Sequence, residues 1–319
     1  MIAAPFSDEF LPPYFKEIIH NNKRRAPWSD YHARQIYMVT VTKAPESPAF
    51  GRLMNVENPT DAYVELSSAG EVIRRELDVT PEITPEVRLI DYVIMPDHFH
   101  AIVFVTVRME KTLGDVIRGI KSAATGKIRK GVHEPDLTVF EDSFHDRIIT
   151  RSGQLDAVKL YVFQNPYRLA VRQMCPEYFR RVNGLTIDGK EVSAYGNMQL
   201  LDNPFKENVV VHRAETQEQR EKNRMKWLYA AANGGVLVSP FISPAERKIR
   251  EEAETLDGSI ILLTSKPFGD RDKPMGRDFA LCEKGRLLII ALPVEEKALS
   301  GNTCLMLNSL AEVIARGEH

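Results

Sequence analysis

Cysteine is scarce in this chain: three in 319 residues, at Cys175, Cys282 and Cys304, widely separated and forming no CxxC pair. That argues against a disulfide framework or a cysteine-built zinc site and fits reduced thiols in a cytoplasm. Long apolar runs are also lacking. The longest, such as LLIIALPV at 287–294, fall far short of the roughly 20 residues a membrane-crossing helix needs, so no membrane partner is expected. The start, MIAAPFSDEFLPPYF, has no basic stretch leading into an apolar segment; no secretion signal is read, and a cytoplasmic location is expected. Net charge is only −2, which by itself argues neither for nor against a polyanionic partner. Neither GxGxxG nor GxxxxGK[ST] occurs, so the usual phosphate-cradling loops are missing.

What remains is ordinary globular material, 43% hydrophobic and 27% charged, long enough for two domains that each bury a core. Residues 1–33 read as an arm broken by LPPYF and NNKRRAPW. A first domain is expected over 34–190. IYMVTVT (36–42) reads as a strand, AYVELS (62–67) as a short one, and 69–78 as a helix with Val72, Ile73 and Leu77 on one face. VRLIDYVIM and HAIVFVTV follow as two strands, then a basic amphipathic helix over 112–130, a short strand RIIT, and a helix from Gln154 to Gln164 halted by Asn165-Pro166. The order strand, helix, strand, strand, helix, strand predicts an α+β, ferredoxin-like antiparallel sheet backed by helices. Beyond a polar connection, VNGLTIDGKEVSAYGN, a second domain over 191–319 alternates apolar runs with helices and reads as a small α/β unit with parallel strands.

One stretch resists a purely structural reading. In YVIMPDHFHAIVFV (92–105), two histidines interrupt a strand-forming apolar run just after a proline and an aspartate. Alternate residues on a strand point to one face, so His98 and His100 project together and can chelate one divalent cation. A facial-triad oxygenase acting on a small molecule would use a similar pair, so a small-molecule metalloenzyme is one reading. Downstream, Tyr161 and Asn165 are four residues apart and share a helix face beside Leu155, Val158 and Val162. Local charge adds candidate phosphate contacts. Arg118, Lys121, Lys127, Arg129 and Lys130 fall between Val116 and His133 with no acidic residue among them.

Together these segments carry a resemblance. YVIMPDHFH resembles the YVVMPNHVH signature of the single-tyrosine HUH transposases, above all the REP-associated tyrosine transposases. FHDRII followed by YVFQNPYR is similar to their YDHIIR and YIxxNPVR segments, and RQIYMVTV to their first strand; the likeness covers about residues 30–180. The resemblance implies an HUH nuclease domain in which His98, His100 and Asn165 hold a divalent metal, Mn²⁺ or Mg²⁺, and Tyr161 is the nucleophile. It implies nicking and strand transfer of single-stranded DNA, beside a hairpin, through a 5′-phosphotyrosine. Lys121 is the first choice for a backbone-phosphate contact, with Arg118 and Arg147 behind it. A homodimer in which the tyrosine helix serves the partner's histidines is one arrangement open to such a chain. A catalytically silent DNA-binding descendant is a second alternative.

Some positions depart from the family pattern: Asp97 replaces an asparagine, Met38 a frequent histidine, and Thr150 an arginine. The second domain looks weakly similar to the Rossmann-like domain of the DNA-processing protein family, which binds single strands. In SPFISPAE, Ser239 and Ser243 fall near a strand end and a helix start, a position suited to an anion, although Ser243-Pro244 reads more simply as a helix cap.

Overall fold

The computed structural model describes residues 29–212, 214–269, 272–293 and 300–317. The arm expected over 1–33 lies outside the described residues as far as residue 28. The chain divides into two compact units between Val171 and Arg172, earlier than the expected change at 190.

In the first unit the elements are β1 (Gln35–Thr42), β2 (Gly51–Met54), β3 (Tyr63–Leu66), α1 (Ser68–Ile83), β4 (Val87–Ile94), β5 (His98–Val105), α2 (Leu113–Val132), β6 (His145–Ile149), α3 (Gln154–Phe163) and α4 (Asn165–Met174), the last crossing the division. A four-stranded sheet runs β4-β5-β1-β6, every neighbouring pair antiparallel. With β2 and β3 set aside in a hairpin of their own, this is the order that the strand–helix alternation predicts.

The two faces of this sheet are covered differently, and the alternation of β5 decides which residue goes where. Phe99, Ala101, Val103 and Val105 join Tyr37, Val39 and Val41 under α1 and α2, whose Ile73, Leu77, Leu113, Ile117 and Ile120 complete the main core. Each fully buried Val, Leu, Ile or Phe among them contributes roughly 1.5–3 kcal/mol. On the opposite face Ile102 clusters with Ile36, Ile149 and Val162, and Leu155, Val158 and Tyr161 of α3 pack against them. His98 and His100 share the parity of Ile102, so they face α3.

The helix expected to stop at Gln164 breaks there but does not end, because the chain resumes at once as α4. Pro166 has no N–H and leaves the Val162 carbonyl without its usual i+4 donor. The side-chain amide of Asn165 stands in, donating to the carbonyl of Tyr161 at 2.7 Å and reaching that of Val162 at 3.4 Å.

The second unit holds β7 (Arg180–Ile187), β8 (Lys190–Gly196), β9 (Lys206–Asn208), α5 (Gln217–Ala232), β10 (Val236–Ser239), α6 (Pro244–Thr255), β11 (Ser259–Thr264), α7 (Arg277–Glu283), β12 (Leu287–Ala291) and α8 (Gly301–Arg316). Its six-stranded sheet runs β7-β8-β12-β11-β10-β9, parallel from β9 to β12 and antiparallel at β8 and β7. The stretch expected to be a polar connection is therefore a hairpin of this sheet. Asp188 and Gly189, both at positive φ (50° and 68°), form its two-residue turn, as a primed turn requires. The four parallel strands add in chain order. Among the described strands these four run in one direction across the sheet, with the antiparallel β8 beside β12. The mixed sheet, with Leu307, Leu310 and Ile314 of α8 packed on Val236, Val238 and Ile261, is what the unit shows.

Candidate functional site

His98 and His100 stand one pleat apart at the start of β5, just after the bend at Met95–Asp97. That bend is tied down by the backbone. The N–H of Lys43 donates to the Asp97 carbonyl and that of Phe50 to the Pro96 carbonyl, both at 2.9 Å. The Nε2 atoms of the two rings converge to 3.2 Å, and each Nδ1 faces a fixed partner. Asp97 Oδ1 lies 2.7 Å from Nδ1 of His98, and Thr40 Oγ1 lies 2.8 Å from Nδ1 of His100.

These partners constrain the protons. An ionised carboxylate only accepts, so the Asp97 contact puts a proton on Nδ1 of His98, and the neutral tautomer turns a lone pair inward from Nε2. At 3.2 Å, either His100 donates Nε2–H to that lone pair or both rings offer lone pairs to one cation. Thr40 serves both states, because a hydroxyl can donate to Nδ1 of His100 or accept from it. His100 is 5% exposed, and its pKa falls to about 3, first because burial disfavours the imidazolium and then because a second positive charge would be repelled by a protonated His98 and by Arg147. It is therefore neutral at physiological pH, the state in which imidazole binds metals. A carboxylate and a hydroxyl behind two imidazoles form the kind of outer shell that orients histidine ligands. Among the described residues no group of three or more His, Cys, Asp and Glu side chains is arranged around one ion; the third ligand expected from the resemblance, Asn165, is of another residue type.

Tyr161 meets this pair from α3. Its ring centroid lies 5.5 Å from that of His100, with the planes tilted by 55°. The phenol thus sits beside the histidines of its own chain. Asn165 is buried, at 8% exposed. A carbonyl oxygen can only accept, so the atom of Asn165 turned to Tyr161 and Val162 must be the nitrogen, and the amide oxygen is turned away from those carbonyls.

The three basic candidates separate. Arg147 on β6 is cross-strand from Met38, shares the histidine-bearing face and contributes to the lowered pKa of His100. Arg118 and Lys121 belong to α2, in the layer covering the opposite face. Arg118 pairs with Asp115 at 2.9 Å. Lys121 donates to the carbonyls of Glu141 at 2.7 Å and Ser143 at 2.9 Å, stapling the loop ahead of β6. The basic run of α2 is largely engaged in intramolecular bonds: Lys127 pairs with Glu76, and Arg129 donates to the Leu137 carbonyl at 2.8 Å. The charge run predicts a phosphate-binding surface; the fold spends most of its donors on the protein itself.

Two participants are not legible as functional in the sequence. Thr40 reads only as a β-branched strand residue; its tie to His100 depends on the β1–β5 register that pairs them. Arg168 carries its guanidinium carbon 5.3 Å from the Tyr161 ring centroid. Its place as the last residue of YVFQNPYR, seven after Tyr161, was the available signal. In the second unit, Ser243 makes a capping box with Glu246 at the start of α6, so the simpler of its two readings is the one seen.

No family model matches the chain. A Haemophilus influenzae protein of uncharacterized function is 21% identical over 173 residues, which span 48% of this chain and 92% of that protein. Among solved structures, a REP-associated tyrosine transposase bound to a REP hairpin aligns over 46% of this chain and 74% of its own at 14% identity and a TM-score of 0.31. A candidate transposase from Deinococcus radiodurans R1 aligns over 45% and 97% at 11% identity and a TM-score of 0.28. Likenesses of that size leave the functional argument to the residues themselves.

Proposed function

We propose that this chain nicks single-stranded DNA and transfers the strand through a 5′-phosphotyrosine on Tyr161, with His98, His100 and Asn165 holding a divalent cation. The observation that carries the reading is the packing of the Tyr161 ring against His100, whose Nε2 is 3.2 Å from that of His98. A phenol beside two converging imidazoles, on a face that also carries an exposed arginine, has little structural reason to exist.

The donor set fits a cation. Imidazole nitrogens bind a first-row divalent ion such as zinc at about 2.0–2.1 Å, and two of them at near a right angle are about 3 Å apart. Two nitrogens and an amide oxygen suit Mn²⁺ better than Mg²⁺, which favours all-oxygen shells. When bound, the ion would draw negative charge from the scissile phosphate. The rest falls to the chain. Tyr161 supplies the nucleophile: its oxygen bonds to phosphorus as the P–O3′ bond breaks, and the phenolic proton is made up on the released 3′-oxygen. Because one phosphodiester replaces another ester of similar energy, the strand can be rejoined without ATP. Asp97 and Thr40 hold the imidazoles in place, and Arg147 offers a cation to the DNA backbone. The packing of Tyr161 on His100 of the same chain favours a tyrosine that serves its own histidines.

The test uses the full-length protein, Mn²⁺ and a library of end-labelled single-stranded hairpin oligonucleotides. A denaturation-resistant protein–DNA adduct that disappears in Tyr161→Phe is expected. Tight binding without an adduct anywhere in the library favours a silent DNA-binding descendant. A metal-dependent activity on small molecules that survives Tyr161→Phe favours a metalloenzyme built on the histidine pair alone.

A further inference from the structure

Arg168 is 5% exposed. A guanidinium is rarely buried to that extent without a specific role, because desolvating a permanent charge is unfavourable unless the surroundings compensate. It lies on α4, seven residues after Tyr161 and just beyond the break at Gln164. Helical side chains lean toward the N-terminus, so a long side chain at this position is directed back toward α3. The guanidinium carbon stands 5.3 Å from the centroid of the Tyr161 ring, within the range of a cation–π contact. The same ring meets His100 at 5.5 Å. The Tyr161 ring therefore has two separate partners, an imidazole from the sheet and a guanidinium from the next helix.

The break between the two helices makes this possible. Asn165 offsets the missing proline donor, and the Arg168 N–H bonds to the Gln164 carbonyl at 2.9 Å, so α4 starts cleanly with Arg168 in its first turn. A tyrosine used only for packing needs no buried cation over its ring. A tyrosine whose oxygen must be held at one place gains from having its ring fixed on more than one side, because a phenol turns easily about its side-chain torsions.

We infer that Arg168 is a positioning residue for Tyr161, holding the phenol ring against His100 so that the hydroxyl is presented at the imidazole pair. This rests on the strand-transfer reading for its purpose but not for its test. Full-length protein carrying 3-fluorotyrosine gives a fluorine resonance for Tyr161, assigned by its loss in Tyr161→Phe. Arg168→Met, which keeps the length of the stem without the charge, is expected to shift or broaden that resonance. It is also expected to slow adduct formation with the hairpin oligonucleotides at least tenfold at unchanged oligonucleotide affinity. Arg168→Lys, which keeps a cation, is expected to recover most of both. An unshifted Tyr161 resonance in Arg168→Met overturns the inference. So do equal losses in the Met and Lys variants that simply track their melting temperatures. If Arg168→Met does not fold, Arg168→Gln, polar but uncharged, takes its place: a shifted resonance at an unchanged melting temperature supports positioning, and an unshifted one overturns it. If the unmutated protein forms no adduct, the strand-transfer reading fails while the resonance still reports on Arg168.

Discussion

Thr40 and His100 are directly opposed across the β1–β5 pairing, with Oγ1 2.8 Å from Nδ1. The contact ties the buried imidazole to the strand beside it and fixes which nitrogen faces His98. Thr40→Val keeps the shape and removes the hydroxyl, leaving that nitrogen without its partner. Mn²⁺ affinity measured by titration calorimetry should fall about 10–100-fold, the usual effect of losing an outer-shell partner of a metal-bound histidine. Unchanged affinity would remove Thr40 from the site.

Asn165→Asp separates two roles of one residue. As a ligand alone, a carboxylate should hold a cation at least as well. The side-chain nitrogen, however, donates to the Tyr161 carbonyl, and a carboxylate there would put two acceptors together. Chemical denaturation should show a loss of about 1–3 kcal/mol, the order expected when a buried acceptor loses its donor. A variant as stable as the parent would mean that the amide is not offsetting the proline.

Acid should destabilise the cation-free protein through His100. Unfolded, this histidine binds a proton near its ordinary value of 6.5; folded, it resists until about 3, chiefly because it is buried. A depressed folded pKa means stability that is intact above pH 6.5 and is lost as pH falls toward 3. The slope is at most about 1.4 kcal/mol per pH unit from this group. Urea melts at pH 7 and 4.5 should show that loss, and His100→Gln should flatten it. An identical slope in the variant would assign the acid sensitivity elsewhere.

Lys121 and Arg147 should behave differently. Lys121→Ala removes a staple from the loop ahead of β6 and should lower stability by about 1–3 kcal/mol, in the range of bonds from a charged donor. Its single-stranded DNA affinity should stay within about twofold of the parent. Arg147→Ala should leave the melting temperature near that of the parent but weaken DNA binding and flatten its salt dependence. The reverse pattern would restore α2 as the DNA-facing surface.

The particular residues show how far local pattern reaches. The common face of His98 and His100 follows from the two-residue period of a strand, and their position opposite α3 was legible once Tyr161 lay on the apolar side of its helix. The strand order of the first unit was legible for the same reason. The hairpin at Asp188-Gly189 was also available in the sequence, since that dipeptide favours the turn seen; the polar flanks obscured it. The basic run of α2 was legible only as charge, because charge counts do not tell which partners a folded chain will bring within reach of each donor.

Periodicity, turn chemistry and the spacing of reactive side chains are set within a few bonds, by backbone geometry and side-chain sterics, and so the sequence alone determined which residues could share a face. Which face met which layer was decided by long-range register and packing. Those brought Thr40 behind His100, set Arg168 over Tyr161, placed Lys121 on the opposite side of the sheet, and added the parallel strands of the second unit in chain order.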